Sequence, residues 1–281
     1  MNKFILAFTI FFITDLKSQI KVGLWEPYYK GKTEKSVFFN GKNLEDFSGD
    51  ADEHGMAVGY VLNQNLEDKI KLYHAGFTPT TRYLRESGIL LMSIEERKKN
   101  LTKEHEYCKR FAIETVAWFK KQKVKVVNMS FGNSATIFAE NNLNLGNNVA
   151  ERLAVAEDWM RKFQQSFDEA FKSAPDILFV VAAGNDELDM QESFDVPGLS
   201  EEPNVICIGA LDKKGLKRIS NYGKQIDIYV IAEDVEWIDS KRQKHYDSGT
   251  SLAVPQITRK AIFQLIKTPK ISSINLKKMI E

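Results

Sequence analysis

Three residues of the 281-residue chain carry the functional groups that acyl transfer requires. They are Ser251 in "SGTSLAVP", His54 in "DEHGMAV" and Asn185 in "VAAGND". A serine hydroxyl is a poor nucleophile until a neighbouring base removes its proton, and the oxyanion formed by its attack needs a hydrogen-bond donor. Taken singly, each residue has a simpler explanation: Ser251 can begin a helix, His54 can lie at a helix start, and Gly184-Asn185 can form a turn.

The elements that would position these residues alternate between strand and helix patterns. Strands are predicted at "IKVGLWE", "KIKLYHA", "GILLMSI", "VKVVNMS", "DILFVVAAGN", "PNVICIGAL" and "IDIYVIA". Several are near-continuous apolar runs, which are typical of parallel strands buried on both faces. Helices are predicted near His54 with Asp52 as N-cap, over residues 104–121 and 149–170, and from Ser251 onward, because their apolar residues recur at helical spacing.

This alternation predicts an α/β fold, with a mostly parallel central sheet flanked by helices. In such sheets reactive side chains gather at the carboxyl ends of the strands, so residues far apart in the sequence can meet there. The chain has 39 basic and 38 acidic residues and a formal charge of +1. It therefore lacks the net positive charge that would attract nucleic acid over its whole surface. With 43% hydrophobic residues it can bury one sizeable core, so we expect one large domain.

The N-terminal sequence "MNKFILAFTIFFITDLKSQ" is typical of a secretory leader. Its apolar segment, residues 4–14, is too short to span a bilayer. We predict a signal peptide over residues 1–18, a mature chain beginning at Gln19, and a secreted or periplasmic location. The alternative is that this segment packs in the fold as a first strand or helix. Cys108 and Cys207 are expected to be free thiols, since Cys207 lies in a buried apolar run.

Six sequence blocks occur in the order found in subtilisin-like serine proteases: "DEHGMAVGYV", "VNMSFG", "FVVAAGND", "EEPNVICIGALD", "SNYGKQIDIYVIA" and "SGTSLAVPQ". The chain therefore resembles the subtilases, the peptidase S8 family, over nearly the whole presumed mature length. The resemblance implies a three-layer subtilisin-like fold for a peptidase domain at residues 19–281. It also implies peptide or unfolded protein substrates.

The resemblance assigns roles residue by residue. Ser251 matches the nucleophile, His54 the general base, and Asn185 the side chain that shares the oxyanion with the Ser251 backbone N–H. Ser130, Phe131 and Gly132 match the segment that pairs with substrate backbone. The opposite side of the specificity pocket matches Ala182, Ala183 and Gly184.

The acidic member of the triad departs from the family pattern. Where the family has Asp at the end of the first core strand, this chain has Glu26 in "KVGLWEP". Glu26 can still hold the His54 tautomer if the backbone accommodates the extra methylene. The alternatives are that Asp50 or Asp52, close to His54 in sequence, replaces it, or that no acid serves this role.

The sequence is thus expected to encode a secreted serine endopeptidase that acts through an acyl-enzyme on Ser251. A pseudoprotease that binds peptides without cleaving them is the alternative, and Glu26 is the feature that separates the two. No Gly-x-Ser-x-Gly elbow surrounds Ser251, which argues against another family of α/β hydrolases. We expect a monomer that needs no cofactor and has no metal in its active centre, and structural calcium is left open. We also expect no nucleic-acid partner and no membrane span after leader removal.

Overall fold

The structure is a computed structural model that describes residues 19–39, 51–77 and 88–281. The predicted leader, residues 1–18, and Asp50 lie outside the described residues. Nine strands are present in this part of the chain: β1 (Ile20–Trp25), β2 (Lys35–Phe38), β3 (Ile70–Gly76), β4 (Val126–Met129), β5 (Leu178–Ala182), β6 (Val205–Leu211), β7 (Ile228–Ile231), β8 (Val235–Ile238) and β9 (Lys244–Asp247).

Seven of these strands form one sheet, in the order β2-β3-β1-β4-β5-β6-β7, and every neighbouring pair is parallel. The strand order reverses at β1, because the chain first builds toward β3 on one side of β1 and then crosses to β4 on the other. The register pairs Val22 of β1 with Val126 of β4. In sheets of this kind, such a reversal opens a crevice beyond the carboxyl ends of the two strands.

Helices cover both faces of the sheet, which confirms the predicted three-layer α/β architecture. The described helices are α1 (Ala51–Asn63), α2 (Ile94–Gln122), α3 (Ala135–Asn141), α4 (Val149–Lys172), α5 (Met190–Ser193), α6 (Thr250–Lys267) and α7 (Ser273–Ile280). Successive residues of β5 point to opposite layers. Phe179 and Val181 pack with residues of α2 and α4, whereas Leu178 and Val180 pack with residues of α1, α6 and α7.

Two local predictions were wrong. The run "GILLMSI" contains a 3₁₀ turn at Ile89–Leu91, not a strand, and Leu91 is 91% exposed. A strand cannot continue through this segment because Ser93 is the N-cap of helix α2. The Ser93 hydroxyl accepts from the Glu96 N–H, and the Glu96 carboxylate accepts from the Ser93 N–H. This capping box begins α2 well before residue 104. Helix α1 likewise begins at Ala51, so Asp52 lies inside the helix and not at its N-cap.

Cys108 and Cys207 are both free, as predicted, and Cys207 is buried. Burial raises the pKa of each thiol, so both remain protonated at neutral pH. No helix in the described part of the chain is long and apolar enough to cross a membrane.

The layer between α2, α4 and the sheet is rich in aromatic rings around Phe167. This fully buried ring lies 5.7 Å from Trp25 and 4.7 Å from Phe163, measured between centroids. We predict that Phe167→Ala lowers the free energy of unfolding by about 3–5 kcal/mol, because it leaves a cavity in a packed core. Denaturant unfolding measures this loss. Val149→Ala on the same helix, at a 66% exposed position, should cost less than about 0.5 kcal/mol, and equal losses would contradict the assignment of this core.

Candidate active site

A buried carboxylate joins two strand ends at the reversal of the sheet. Glu26 follows β1 and is fully buried, and its Oε1 accepts a hydrogen bond from the Ser130 backbone N–H, which follows β4, at 2.7 Å. Asn128 Nδ2 lies 3.5 Å from the same oxygen. The other oxygen, Oε2, is 3.3 Å from His54 Nδ1. One side chain therefore contacts β4 with one oxygen and the histidine with the other.

Gly55 allows helix α1 to bring His54 to this carboxylate. A Cβ atom built on Gly55 would lie 1.5 Å from the backbone oxygen of Tyr28, in the segment directly after Glu26. A clash with backbone cannot be relieved by a side-chain rotation, so only glycine permits this approach. The close contact fixes His54 beside Glu26.

The charge around His54 favours its protonated form. Burial lowers the pKa of His54, but the hydrogen bond and charge of Glu26, together with the charge of Asp247, outweigh burial and raise the pKa above its ordinary value of 6.5. The His54 side chain is 45% exposed, so its outer nitrogen remains open to a ligand. Asp247 ends β9 of the separate β8–β9 hairpin, where it accepts from Trp237 Nε1.

A second histidine, His74, contacts the backbone of Glu26. His74, on β3, is fully buried, and its Nε2 lies 3.0 Å from the backbone oxygen of Glu26. A carbonyl oxygen only accepts hydrogen bonds, so Nε2 must carry the hydrogen. Burial lowers the pKa of His74 to about 4, with the bond to Glu26 acting weakly in the other direction. His74 is therefore a neutral donor that holds the backbone of Glu26.

Ser251 is the second residue of helix α6, and its hydroxyl donates to the backbone oxygen of Ser130 at 3.1 Å. The first N–H groups of a helix lack partners within the helix and carry partial positive charge. The Ser251 N–H is one of them. Gly249, just before the helix, has φ +124°, a conformation that L side chains rarely adopt.

Asn185 lies against this helix start. Its Oδ1 accepts from the Thr250 N–H at 2.8 Å and from the Thr250 hydroxyl at 2.9 Å. With the oxygen used in this way, the exposed Asn185 side chain presents its Nδ2 as a donor. A side chain on Gly249 would collide with Asn185, since its Cβ would lie 2.9 Å from Oδ1.

A cavity of about 240 Å³ opens beside Ser251. Its walls include most of the predicted substrate-binding residues, namely Ser130, Phe131, Gly132, Ala182 and Gly184, together with Asn185, Asp186, Asp195 and Thr250. Ala183 does not line it: the side chain points away, is 1% exposed and packs in the core with the α2 and α4 layer. The alternation of side chains along an extended segment explains this difference.

Comparison with known proteins identifies the family of the chain. The family model of the Subtilase family matches residues 17–281. The chain belongs to the subtilase family. Similar sequences include "Alkaline protease 1" of Aspergillus clavatus, 34% identical over 36% of this chain and 25% of that protein, and "Alkaline protease 1" of Emericella nidulans, 33% identical over 40% and 28%. These alignments span only about a quarter of each relative.

A solved structure shares the fold of this subtilase. It is described as a cold adapted subtilisin-like serine proteinase. The superposition has a TM-score of 0.55 and 18% sequence identity, and it covers 92% of this chain and 80% of the chain in that structure. At this identity, the similarity establishes the subtilisin-like fold.

The sequence analysis missed four polar residues of this subtilase site: Asn128, His74, Asp195 and Asp247. Two had a usable signal, because Asn128 and His74 interrupt apolar strands, and buried polar groups in a parallel sheet need partners. Asn128 donates to the Ser130 hydroxyl at 2.9 Å and its oxygen lies 3.1 Å from the Thr258 hydroxyl of α6. Asp195 and Asp247 lie in segments without a diagnostic pattern.

Other predictions about the site remain untested. The side chain of Asp52 is outside the described part, as is Asp50, so neither can be compared with Glu26. Among residues 19–39, 51–77 and 88–281, no cluster of three or more His, Cys, Asp or Glu side chains could hold a metal ion. The expectation that no cofactor is needed stays a prediction.

Burial of His74 makes the fold sensitive to acid. Its folded-state pKa of about 4 lies below the ordinary 6.5, so between these pH values the unfolded chain binds a proton that the folded chain does not. Stability is therefore retained above pH 6.5 and falls by roughly 3 kcal/mol on acidification to pH 4. We predict that His74→Gln, which keeps a donor for Glu26, removes this contribution.

Denaturant titrations of both proteins from pH 7 to pH 4 measure the difference. Asp195 titrates in the opposite sense but is common to both proteins, so it cancels in the comparison. Parallel stability curves would contradict a neutral, buried His74.

Proposed function

We propose that this subtilase is a serine endopeptidase that cleaves peptide bonds through an acyl-enzyme on Ser251. The observation that carries the proposal is a chain of contacts through Ser130. Its N–H donates to Glu26, the acid that faces His54 Nδ1, and its carbonyl oxygen accepts from the Ser251 hydroxyl. Because Glu26 Oε2 faces His54 Nδ1, the neutral imidazole carries its hydrogen on Nδ1. Its Nε2 then has a free lone pair with which to accept the Ser251 proton.

In the proposed first step, the Ser251 oxygen attacks the scissile carbonyl carbon as its proton passes to His54 Nε2. For this transfer the hydroxyl must give up its hydrogen bond to the Ser130 carbonyl. The carbonyl oxygen becomes an oxyanion, which accepts hydrogen bonds from Asn185 Nδ2 and the Ser251 N–H. Both donors lie at the positive end of α6, where negative charge is favoured.

In the remaining steps, His54 donates the proton to the departing amine, and the C–N bond breaks to leave an ester on Ser251. Water then attacks this ester, giving its proton to His54, and the collapse of the second tetrahedral species returns a proton to the Ser251 oxygen and releases the acid. Glu26 stabilises the His54 imidazolium during both acylation and deacylation and keeps its own negative charge throughout.

Glu26 is favoured over Asp247 as the acid that orients His54. Glu26 is fully buried and contacts Nδ1 directly, whereas Asp247 is exposed and its carboxylate is engaged by Trp237. A buried carboxylate acts in a low dielectric and is weakly screened. Asp247 contributes charge to His54 but does not set its tautomer.

One observation favours the second candidate function, a peptide-binding pseudoprotease. The Ser251 hydroxyl donates to the Ser130 carbonyl, so the serine is held in a hydrogen bond that does not activate it. A protein in which this bond persists with substrate bound would retain the groove but not cleave. Turnover and labelling by a fluorophosphonate, which requires an activated serine, separate the two functions.

We predict that the native protein hydrolyses an unstructured protein substrate and that Ser251→Ala abolishes turnover. Glu26→Gln should lower turnover by about 10⁴-fold, because the amide keeps the shape but not the charge that stabilises the imidazolium. Initial rates with fluorescent casein measure both effects. Glu34→Gln, the same change at a 42% exposed position paired with Lys71, should leave the rate unchanged.

Native turnover no faster than that of Ser251→Ala would leave only the pseudoprotease. A native rate unaffected by Glu26→Gln would mean that another acid serves His54.

Export of this protein, and its action as a monomer on peptide or unfolded protein substrates outside the cell, are also proposed. The support for export is the leader-like segment at residues 1–18. We predict that the mature protein begins at or near Gln19, which N-terminal sequencing of exported material measures. Exported protein that still begins at Met1 would contradict cleavage of a leader.

A further inference from the structure

The cavity beside Ser251 has an acidic interior. Its charged lining residues, in the described part of the chain, are Asp186 and Asp195, and none of its lining residues is basic. The two acids differ in position, because Asp186 is exposed whereas Asp195 is 4% exposed. Asp195 therefore contributes a buried carboxyl group to the cavity wall.

The carboxyl group of Asp195 is held in a defined place. The Ser193 hydroxyl donates to its Oδ2. The next residue, Val196, exchanges two backbone hydrogen bonds with Asn133, each 3.0 Å long, which ties this segment to the chain that follows the Ser130–Gly132 wall. On the other wall, a Cβ atom built on Gly184 would lie 3.1 Å from Asp195 Oδ1. The carboxyl group thus lies where the two walls of the cavity meet.

Within the described part of the chain, no Lys or Arg forms an ion pair with the carboxyl group of Asp195. Burial, with a smaller contribution from the charge of Asp186, raises the pKa of Asp195 to about 7, although hydrogen bonds from Ser193 and Asn221 act in the opposite direction. A buried carboxylate without a counter-ion is unfavourable, so a cationic group that enters the cavity would give Asp195 the partner that the described residues do not supply.

We propose that Asp195 makes this cavity select a basic side chain, Lys or Arg, on the substrate residue whose carbonyl Ser251 attacks. The assignment to that residue rests on the proposed function, since the cavity is lined by Ser251 itself and by Asn185. Its volume of about 240 Å³ exceeds the ~30 Å³ occupied by one water molecule severalfold, which leaves room for a long side chain.

The test uses otherwise identical fluorogenic peptides with Arg, Lys or Leu on the amino side of the scissile bond. At pH 8 the native protein should show a kcat/KM at least tenfold higher for Arg and Lys than for Leu. Asp195→Asn should lower kcat/KM for Arg and Lys by about 10²-fold, because a buried charge partner is lost, and change that for Leu by less than about threefold.

The matched control is Asp158→Asn, which removes the same charge at a 63% exposed position on α4, outside the residues that line the cavity. It should change every kcat/KM by less than about threefold, since water and salt screen an exposed charge. Thermal unfolding of each variant checks that the fold is retained. A native preference for Leu, or an equal loss for all three peptides in Asp195→Asn, would overturn the proposal.

The pH dependence supplies a second readout that a structural role for Asp195 would not produce. Asp195 and Asp186 are the titratable groups that line the cavity, and the thiol of Cys207 nearby stays protonated. The ratio of kcat/KM for Arg to that for Leu should rise with pH through about 7, as Asp195 ionises, and should be flat in Asp195→Asn. The titration of His54 is common to both peptides and cancels. A flat ratio in the native protein would overturn the proposal.

Binding separates this proposal from the proposed hydrolysis. Fluorescence anisotropy with Ser251→Ala should show the Arg peptide bound at least tenfold more tightly than the Leu peptide, and Ser251→Ala/Asp195→Asn should lose the difference. If the native protein cleaves nothing but this difference is found, the basic preference stands and the endopeptidase proposal fails. Equal binding of both peptides, or binding of neither, overturns the preference whatever the native turnover.

Discussion

The hydrogen bond from the Ser130 N–H to Glu26 Oε1 is the interaction on which the site depends. It crosses from β4 to β1 at the point where the strand order of the sheet reverses. A fully buried carboxylate needs donors, and this backbone group supplies one while Oε2 faces His54. The carbonyl of the same Ser130 accepts from Ser251, so one residue contacts both the acid and the serine. Disturbing this strand end would move both together.

Glutamate at this position is compatible with the described geometry. Its extra methylene is accommodated by burial at the end of β1, with His74 holding the backbone oxygen and Ser130 and His54 engaging the two carboxylate oxygens. The close approach at Gly55 brings the histidine to the acid. Glu26 is thus contacted by residues of three different elements.

The parallel sheet and the main helices could be predicted from the sequence because the apolar residues of each element recur at strand or helix spacing within a short stretch. Sequence reasoning missed strand β2 and the β8–β9 hairpin. Strands β2 and β9 are short and contain exposed polar residues, so they resemble loops, and β8 has only four residues, too few to show a clear alternation. The same reasoning placed Ser251, His54 and Asn185 at element ends, yet it could not find Asp195 or Asp247. Their proximity to the site arises from tertiary packing of irregular or edge segments, which no local periodicity encodes. Ala183 was assigned to the pocket through the resemblance to the subtilases, whereas the alternation of side chains directs it into the core.

The sequence separation across the central strand pair has a consequence for the timing of activity. Glu26 and Ser130 are 104 positions apart, and Ser251 reaches Ser130 across 121. Contacts of such long range form late, since loop closure must precede them. Whatever chemistry the site performs is therefore absent from a nascent or half-folded chain. A chain that is still folding therefore has no assembled site of its own, and the site appears only when the whole sheet is in place.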